Sequence, residues 1–239
     1  MRGALKSIGP ELRHGLERQG YFVREGLLRD STWREMRAEA MRLHGLAFEK
    51  PGVESCELEA GDFHAAPSLL AYTVDLLATL PAQLDDVSTN VYGTKLAVTM
   101  PGAAYPKHVD NACTCDATGL PHDLRWITCI YYLNESPKGG DLRLWLDDPT
   151  TSPRGRPLDV APAADTFVAF YADRLVHEVL PTAADDDHRF ALTLWLVSDF
   201  RAGYSTHSST RLCATDRPGA RTRRAHFAAT TTTPSPPPA

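Results

Sequence analysis

The spacing of apolar residues changes once along the 239-residue chain. In the first third, apolar residues recur at steps of three and four, which is the spacing of a helix with one buried face. One such stripe consists of Trp33, Met36, Ala40 and Leu43. A second consists of Leu70, Val74 and Leu77, in a segment that begins near Pro67 and stops at Pro81. The pattern therefore predicts helices here, each with one face in the core.

After about residue 90 the apolar residues form short runs rich in β-branched and aromatic side chains, separated by turn residues such as PG, KGG and SPRGRP. These runs are TKLAVTM, RWITCIYYL, LRLWL, TFVAFY and RFALTLWLV. In LRLWL the leucines alternate with Arg143 and Trp145, so the two sets face opposite sides of a sheet. Helices followed by a series of strands predict an α+β domain whose strands form a sandwich or barrel.

The last part of the chain has a different composition. Residues 201–239 contain few large apolar side chains and are rich in Thr, Pro and Arg. Such a segment cannot bury enough apolar surface to offset the entropy lost on ordering. We expect one domain over residues 1–200 and a disordered tail over residues 201–239, in which RTRRAH is a solvated basic run rather than a localisation signal.

Composition limits the setting of the protein. A net charge of −5 is mild, so the overall field predicts no affinity for nucleic acid or for membranes. No stretch approaches the roughly 18 consecutive apolar residues of a membrane span. The five cysteines are odd in number and irregularly spaced, which suits a reducing compartment better than a disulfide framework. We expect a cytoplasmic protein, with the nucleus as an alternative.

Candidate chemistry begins at YPKHVDN, residues 105–111. On an extended chain His108 and Asp110 project to the same side and can bind one metal ion together, although a polar turn would contain the same residues. His177 follows in DRLVHEV, at the end of a predicted strand. Two histidines and one carboxylate form the facial triad that holds non-haem Fe(II) and leaves adjacent coordination positions open. His108, Asp110 and His177 are therefore the predicted metal ligands.

Arg189 opens the last predicted strand, RFALTLWLV. Strand alternation places it on one face with Ala191, Thr193 and Trp195. Its guanidinium fork suits the far carboxylate of a 2-oxo diacid that chelates the metal. The ordinary alternative is a surface ion pair with the acidic residues 185–187.

Several of these motifs together resemble one family. YPKHVDN, RWITCIYYLNES, KGGDLRLW, DRLVHEV and HRFALTLW are similar to the prolyl hydroxylase domain enzymes, the hypoxia-inducible-factor-type prolyl 4-hydroxylases among the 2-oxoglutarate and Fe(II) dependent dioxygenases. The resemblance covers roughly residues 15–200 and is strongest over residues 94–198. It implies a double-stranded β-helix, a jelly-roll-like barrel braced by N-terminal helices. It also implies Fe(II), 2-oxoglutarate as cosubstrate, ascorbate as reductant, and dioxygen.

The resemblance also assigns roles to residues. It implies that Arg189 and Tyr132 bind the distal carboxylate of 2-oxoglutarate and that Thr193 lies beside the iron and the cosubstrate. The residues alone say only that one of the neighbours Tyr131 and Tyr132 can face the site, because adjacent strand residues face opposite sides. The implied substrate-binding residues are Tyr105, Arg125 and Trp195.

The implied function is prolyl 4-hydroxylation of an intracellular protein, either a hypoxia-inducible-factor-like substrate or a ubiquitin-ligase adaptor, with a role in oxygen sensing. Four departures bear on it. Met100 replaces a tyrosine of the family, and both the loop at 112–124 and the segment from His177 to Arg189 are longer. The expected substrate-covering loop, residues 48–68, lacks the usual charged motif. Alternatives are an oxygenase of the same fold acting on another residue or on a small molecule, and a non-catalytic metal-binding interaction module. Arg189 argues against a zinc-loaded hydrolase or isomerase, which needs no second carboxylate clamp.

Overall fold

Helices precede most of the strands, as the apolar spacing predicts. The computed structural model describes residues 1–44, 48–49, 55–59, 64–111, 124–146, 156–185 and 188–198. The helices are α1 (Arg2–Ser7), α2 (Gly9–Gln19), α3 (Thr32–His44) and α4 (Pro67–Thr79), and a 3-10 turn follows at Pro81–Gln83. In α3, Met36, Ala40 and Leu43 are buried and Trp33 packs partly buried against them, which confirms the first predicted stripe.

The second predicted stripe, on α4, does not lie on the buried face of the helix. Leu70 and Val74 are 41% and 46% exposed, and Leu77 is only partly buried. The buried side chains of α4 are Leu69, Tyr72, Thr73, Leu76 and Thr79. The segment PSLLAYTVDLLAT is apolar on almost every side, so more than one stripe fits it equally well.

A tertiary contact orients the start of α4. The buried carboxylate of Glu39, on α3, accepts hydrogen bonds from the backbone N–H groups of Ser68 and Leu69. A negative charge is favourable at a helix N-terminus, where N–H groups lack helical partners. This cap joins the two helices and could not be inferred from the α4 sequence.

The strands of the described part of the chain form two antiparallel sheets. They are β1 (Tyr21–Arg24), β2 (Phe48–Glu49), β3 (Ser55–Glu59), β4 (Val87–Thr99), β5 (Tyr105–His108), β6 (Arg125–Tyr132), β7 (Leu142–Leu146), β8 (Arg156–Val160), β9 (Phe167–Tyr171), β10 (Val176–Val179) and β11 (Arg189–Ser198). The larger sheet has the order β1-β9-β6-β11-β4-β3-β2, and the smaller has the order β5-β10-β7-β8. All five predicted strands are present.

The two sheets face each other as the halves of a double-stranded β-helix. Between them pack Ile130, Tyr132, Val168, Phe170 and Ala191 of the larger sheet and Leu142, Leu144 and Val160 of the smaller one. The other face of the larger sheet packs against the helices, through side chains such as Leu96, Leu192 and Leu194. The α+β class and the barrel braced by N-terminal helices are thus confirmed, and β11 is buried on both of its faces.

Parts of the predictions lie outside the described residues. These are the tail at 201–239 with the domain boundary at 200, residues 112–123 of the long loop, and residues 50–54 and 60–63 of the expected substrate-covering loop. Among the described residues, no helix combines the length and the apolar character needed to cross a bilayer.

Candidate metal centre and cosubstrate pocket

Two of the predicted metal ligands lie on paired strands. In the antiparallel pair of β5 and β10, His177 is directly opposite His108. Directly opposite residues of a sheet project from the same face. The two imidazole rings accordingly lie with their centroids 4.3 Å apart.

Asp110 completes the group two residues after His108. Its Oδ1 atom is 3.4 Å from Nε2 of His108 and 3.8 Å from Nε2 of His177. All three candidate ligand atoms lie within 4.8 Å of one another. The structure thus brings together the three residues that the sequence predicts as metal ligands.

Backbone contacts fix which nitrogen of each histidine faces the group. Nδ1 of His108 is 2.8 Å from the carbonyl oxygen of Pro106, and Nδ1 of His177 is 3.0 Å from that of Leu175. A carbonyl oxygen only accepts, so each Nδ1 carries the proton and each Nε2 keeps its lone pair. This is the usual way in which proteins orient histidine ligands of metals. Two imidazole nitrogens and one carboxylate oxygen fit Fe(II).

The ionisation of these groups suits a cation. Burial lowers the pKa of His177, so the imidazole is neutral and able to act as a ligand. Burial alone would raise the pKa of Asp110. The contacts with His108 and His177 and the hydrogen bonds that Thr128 and Trp195 donate outweigh it and hold that pKa below its usual range. Asp110 therefore remains a carboxylate.

The three side chains line a cavity of about 280 Å³ between the two sheets. This volume is near the lower end of the roughly 300–1,000 Å³ of small-molecule sites. One wall consists of β4, β6 and β11, and the other of β5, β7 and β10. From β11 the lining residues are Arg189, Ala191, Thr193 and Trp195. The predicted alternation of β11 is confirmed, and Thr193 lies on the cavity face between Arg189 and Trp195.

Arg189 provides a cationic group to this cavity. It is 5% exposed, its Nε–H donates to the carbonyl of Gly140 at 2.9 Å, and Nη2–H donates to the hydroxyl of Tyr132 at 3.2 Å. A guanidinium group has more N–H donors than these two bonds use. Within the described part of the chain Arg189 forms no ion pair with a carboxylate, and Asp185 pairs instead with Lys138. A buried, unneutralised guanidinium in a cavity is a site for an anion.

The surroundings of Arg189 explain its orientation. Gly139 and Gly140 both have positive φ angles, 74° and 70°, which favour glycine. A Cβ atom on Gly140 would lie 3.0 Å from Cδ of Arg189. Tyr132 does not line the cavity; its fully buried hydroxyl contacts Arg189, and burial raises the pKa of Tyr132, so the hydroxyl stays protonated. Tyr131 faces the opposite side and donates to Asp165.

The cavity mouth is formed by the partly exposed lining residues Lys95, Tyr105, Arg125 and Trp195. The Tyr105 ring lies 4.9 Å from the His108 ring. The cationic groups of Lys95 and Arg125 lie 5.0 Å and 5.2 Å from the Trp195 ring. The three predicted substrate-binding residues therefore all line the cavity and are partly exposed, as is Lys95, which the sequence did not indicate.

Other features of the site had no sequence signal. Gly140 reaches Arg189, and Thr128 reaches Asp110, only through contacts between segments that are distant in the sequence. At the position of the family tyrosine, Met100 is 37% exposed and does not line the cavity, and its carbonyl accepts a hydrogen bond from Thr182. The side chain of Met100 therefore does not contribute to the cavity.

Known proteins share this arrangement to different extents. A family model described as the 2OG-Fe(II) oxygenase superfamily matches residues 94–197. The chain is 43% identical over 99 residues to a hypoxia-inducible factor prolyl hydroxylase of Caenorhabditis elegans, which covers 39% of this chain and 12% of that protein. It is 28% identical over 200 residues to Egl nine homolog 1 of Rattus norvegicus, and this match covers 80% of this chain and 50% of that protein. The chain thus spans half or less of these relatives.

A solved structure agrees over a larger share of its length. A Pseudomonas putida prolyl-4-hydroxylase is 25% identical, with a TM-score of 0.63, and the match covers 80% of this chain and 99% of that one. The region matched by the family model begins on β4 and ends on β11, so it contains the two histidines, Asp110 and Arg189. Residues 94–197 therefore match the 2OG-Fe(II) oxygenase superfamily, and the proteins that this chain is similar to include prolyl hydroxylases.

Proposed function

We propose that the protein is a 2-oxoglutarate and Fe(II) dependent prolyl 4-hydroxylase that acts on a proline of an intracellular protein. One observation carries the proposal. A convergent set of two histidines and a carboxylate shares one small cavity with a buried arginine that has no carboxylate partner among the described residues. A metal ligand set together with a clamp for a second carboxylate is what a chelating 2-oxo diacid requires.

The residues of the chain have separate tasks in this reaction. His108, Asp110 and His177 would hold Fe(II), which when bound supplies the redox chemistry between dioxygen, 2-oxoglutarate and the substrate. Arg189 binds the distal carboxylate, the hydroxyl of Tyr132 holds its guanidinium from outside the cavity lining, and Thr193 lines the wall beside it. Tyr105, Arg125 and Trp195 receive the target proline at the mouth.

The overall reaction balances in atoms and electrons. 2-Oxoglutarate loses its C1 carboxyl group as carbon dioxide and becomes succinate, which takes one atom of dioxygen. The other oxygen atom enters the C4–H bond of proline as a hydroxyl group. Ascorbate acts as the reductant that restores Fe(II) after turnover without substrate.

The substrate and the setting are also part of the proposal. The Caenorhabditis elegans relative is named for its action on hypoxia-inducible factor. By similarity we propose a hypoxia-inducible-factor-like protein or a ubiquitin-ligase adaptor as substrate, and a role in oxygen sensing. The odd number of cysteines supports the cytoplasm, with the nucleus as an alternative.

The direct test combines turnover with identification of the product. Purified protein with Fe(II), ascorbate and 2-oxoglutarate should release succinate, and the release should increase with a proline peptide that gains one oxygen atom in mass spectrometry. Oxygen on another residue, or stimulation only by small molecules, would favour the oxygenase of different specificity. Metal binding without any succinate, with or without peptides, would favour a non-catalytic module, for which Met100 is the structural argument.

Gly140→Ala is expected to weaken the binding of 2-oxoglutarate by about 10-fold or more, because a hydrogen bond to a charged group contributes about 1.5–3 kcal/mol. The added Cβ atom would lie 2.8 Å from Cγ2 of Thr182 and 3.0 Å from Cδ of Arg189, so the guanidinium must shift away from the Gly140 carbonyl. The Kd of 2-oxoglutarate for Mn(II)-loaded protein, measured by calorimetry, checks this.

Gly102→Ala is the matched control. Gly102 also has a positive φ angle, 79°, but the added Cβ atom would meet nothing closer than 3.9 Å. Both variants therefore carry the cost of a left-handed alanine, and only the first displaces Arg189. Equal Kd values for the two variants would contradict the orienting role of Gly140.

A further inference from the structure

The two oxygen atoms of Asp110 have different surroundings. Oδ1 faces Nε2 of both histidines, at 3.4 Å and 3.8 Å. Oδ2 points away from them and accepts two hydrogen bonds. The hydroxyl of Thr128 donates to it at 2.6 Å, and the indole Nε1–H of Trp195 donates to it at 3.1 Å.

We infer that Thr128 and Trp195 are positioning residues that hold Asp110 as a ligand through Oδ1 alone. Each carboxylate oxygen has lone pairs for about two hydrogen bonds, so these two donors occupy Oδ2. Binding of a metal through both oxygens would take one of these lone pairs of Oδ2. At least one of the two donors, the buried hydroxyl of Thr128 or the partly buried indole N–H of Trp195, would then lose its partner, at about 1–3 kcal/mol. The inference rests on the metal-binding role of the triad in the proposed function.

The sheet explains why both donors reach the same oxygen. Trp195 on β11 is directly opposite Thr128 on β6, so the two side chains stand side by side on the cavity face. Thr128 is 1% exposed, and the bond to Asp110 is therefore shielded from water. Asp110 itself follows β5 of the other sheet. The two hydrogen bonds thus connect the sheets directly at the metal centre.

Holding Asp110 in this way has a chemical consequence. A carboxylate that binds a metal through both oxygens occupies one more coordination position than a carboxylate that binds through one. The 2-oxo acid and dioxygen need the positions that the protein leaves open. Thr128 and Trp195 therefore keep a position free, in addition to orienting Oδ1. Trp195 also lies at the mouth between Lys95 and Arg125, so the same side chain contacts both the entrance and the metal ligand.

The test is the affinity for Mn(II), which needs no turnover. Thr128→Val removes the hydroxyl and keeps the branched shape. We expect it to weaken Mn(II) binding about 10- to 100-fold, the usual effect of removing an outer partner of a metal ligand. Thr128→Ser keeps a hydroxyl and should restore most of the affinity. The electron paramagnetic resonance spectrum of bound Mn(II) should differ from that of the wild type in the valine variant. In the serine variant it should match the wild-type spectrum again.

Thr94→Val is the matched control. Thr94 is a buried threonine of β4 whose hydroxyl donates to the backbone carbonyl of Thr193 at 3.1 Å, on the face of the sheet away from the cavity. It should lower thermal stability about as much as Thr128→Val and leave Mn(II) affinity unchanged. An equal loss of Mn(II) affinity in both variants would overturn the inference, as would wild-type affinity and spectrum in Thr128→Val.

Trp195→Phe gives an independent measurement, because it removes the N–H and keeps an aromatic ring. Both donors bind the same oxygen atom. In the double variant Thr128→Val/Trp195→Phe, the loss of Mn(II) binding free energy should therefore differ from the sum of the losses in the two single variants. Additive losses would contradict a shared oxygen. If the wild type binds Mn(II) but releases no succinate, the proposed function fails while these affinities still decide the positioning role.

Discussion

His177→Ala is expected to abolish succinate release and to weaken Mn(II) binding by more than about 100-fold. Removal of an outer partner of a metal ligand commonly costs 10–100-fold, so removal of the ligand itself should cost more. His177 is 4% exposed, and its Nε2 is directed at Asp110 by the hydrogen bond of Nδ1 to Leu175. Apart from His108, which is already a candidate ligand, no described histidine belongs to the group and could replace it. Calorimetric titration of Mn(II) into metal-free protein measures the effect.

His14→Ala is the control for this substitution. His14 lies exposed on α2, away from the residues that line the cavity. The control should keep the metal affinity and the turnover of the wild type. Thermal unfolding of metal-free His177→Ala should still be a single cooperative transition, which separates loss of the ligand from loss of the fold. Wild-type Mn(II) affinity in a folded His177→Ala variant would exclude this residue as a ligand.

The sequence could predict what local periodicity determines. On β11, alternation alone placed Arg189, Ala191, Thr193 and Trp195 on one face, and all four line the cavity. A strand has a side-chain period of two, so one anchored residue assigns the rest. The same rule stated that only one of Tyr131 and Tyr132 could reach the site. The choice of Tyr132 came from family resemblance, and the structure places its hydroxyl on Arg189.

Pairing between distant strands is what the sequence could not provide. His108 and His177 are 4.3 Å apart between ring centroids because β5 and β10 pair in one register, and no local pattern specifies that register. The hydrogen bond from Thr128 to Asp110 depends instead on how the two sheets face each other, which no local pattern specifies either. On α4 the failure is of another kind, since a helix that is apolar on most sides has no unique buried face until neighbours such as Glu39 orient it.

Arg189→Ala is expected to weaken 2-oxoglutarate binding by about 2–5 kcal/mol, the cost of removing one partner of a buried, hydrogen-bonded charge pair. This corresponds to roughly 30-fold to several-thousand-fold in Kd. Arg189→Lys should recover only part of the loss, because an ammonium group lacks the planar fork that binds a carboxylate and also contacts Gly140 and Tyr132. Metal affinity should change little, since Arg189 is not among the candidate ligands.

The preference for 2-oxoglutarate over a 2-oxo acid without a second carboxylate measures the role of Arg189 more directly than the Kd of 2-oxoglutarate alone. The wild type should bind 2-oxoglutarate far more tightly than 2-oxobutyrate, which has the chelating 2-oxo acid but no distal carboxylate. Arg189→Ala should remove most of that difference, because it removes the cation that distinguishes the two ligands. Arg143→Ala is the control: Arg143 pairs with Asp159 and does not line the cavity, so selectivity should be unchanged. If Arg189→Ala keeps the wild-type preference for the diacid, the distal carboxylate must bind elsewhere, and the pairing of triad and arginine no longer supports a 2-oxoglutarate site.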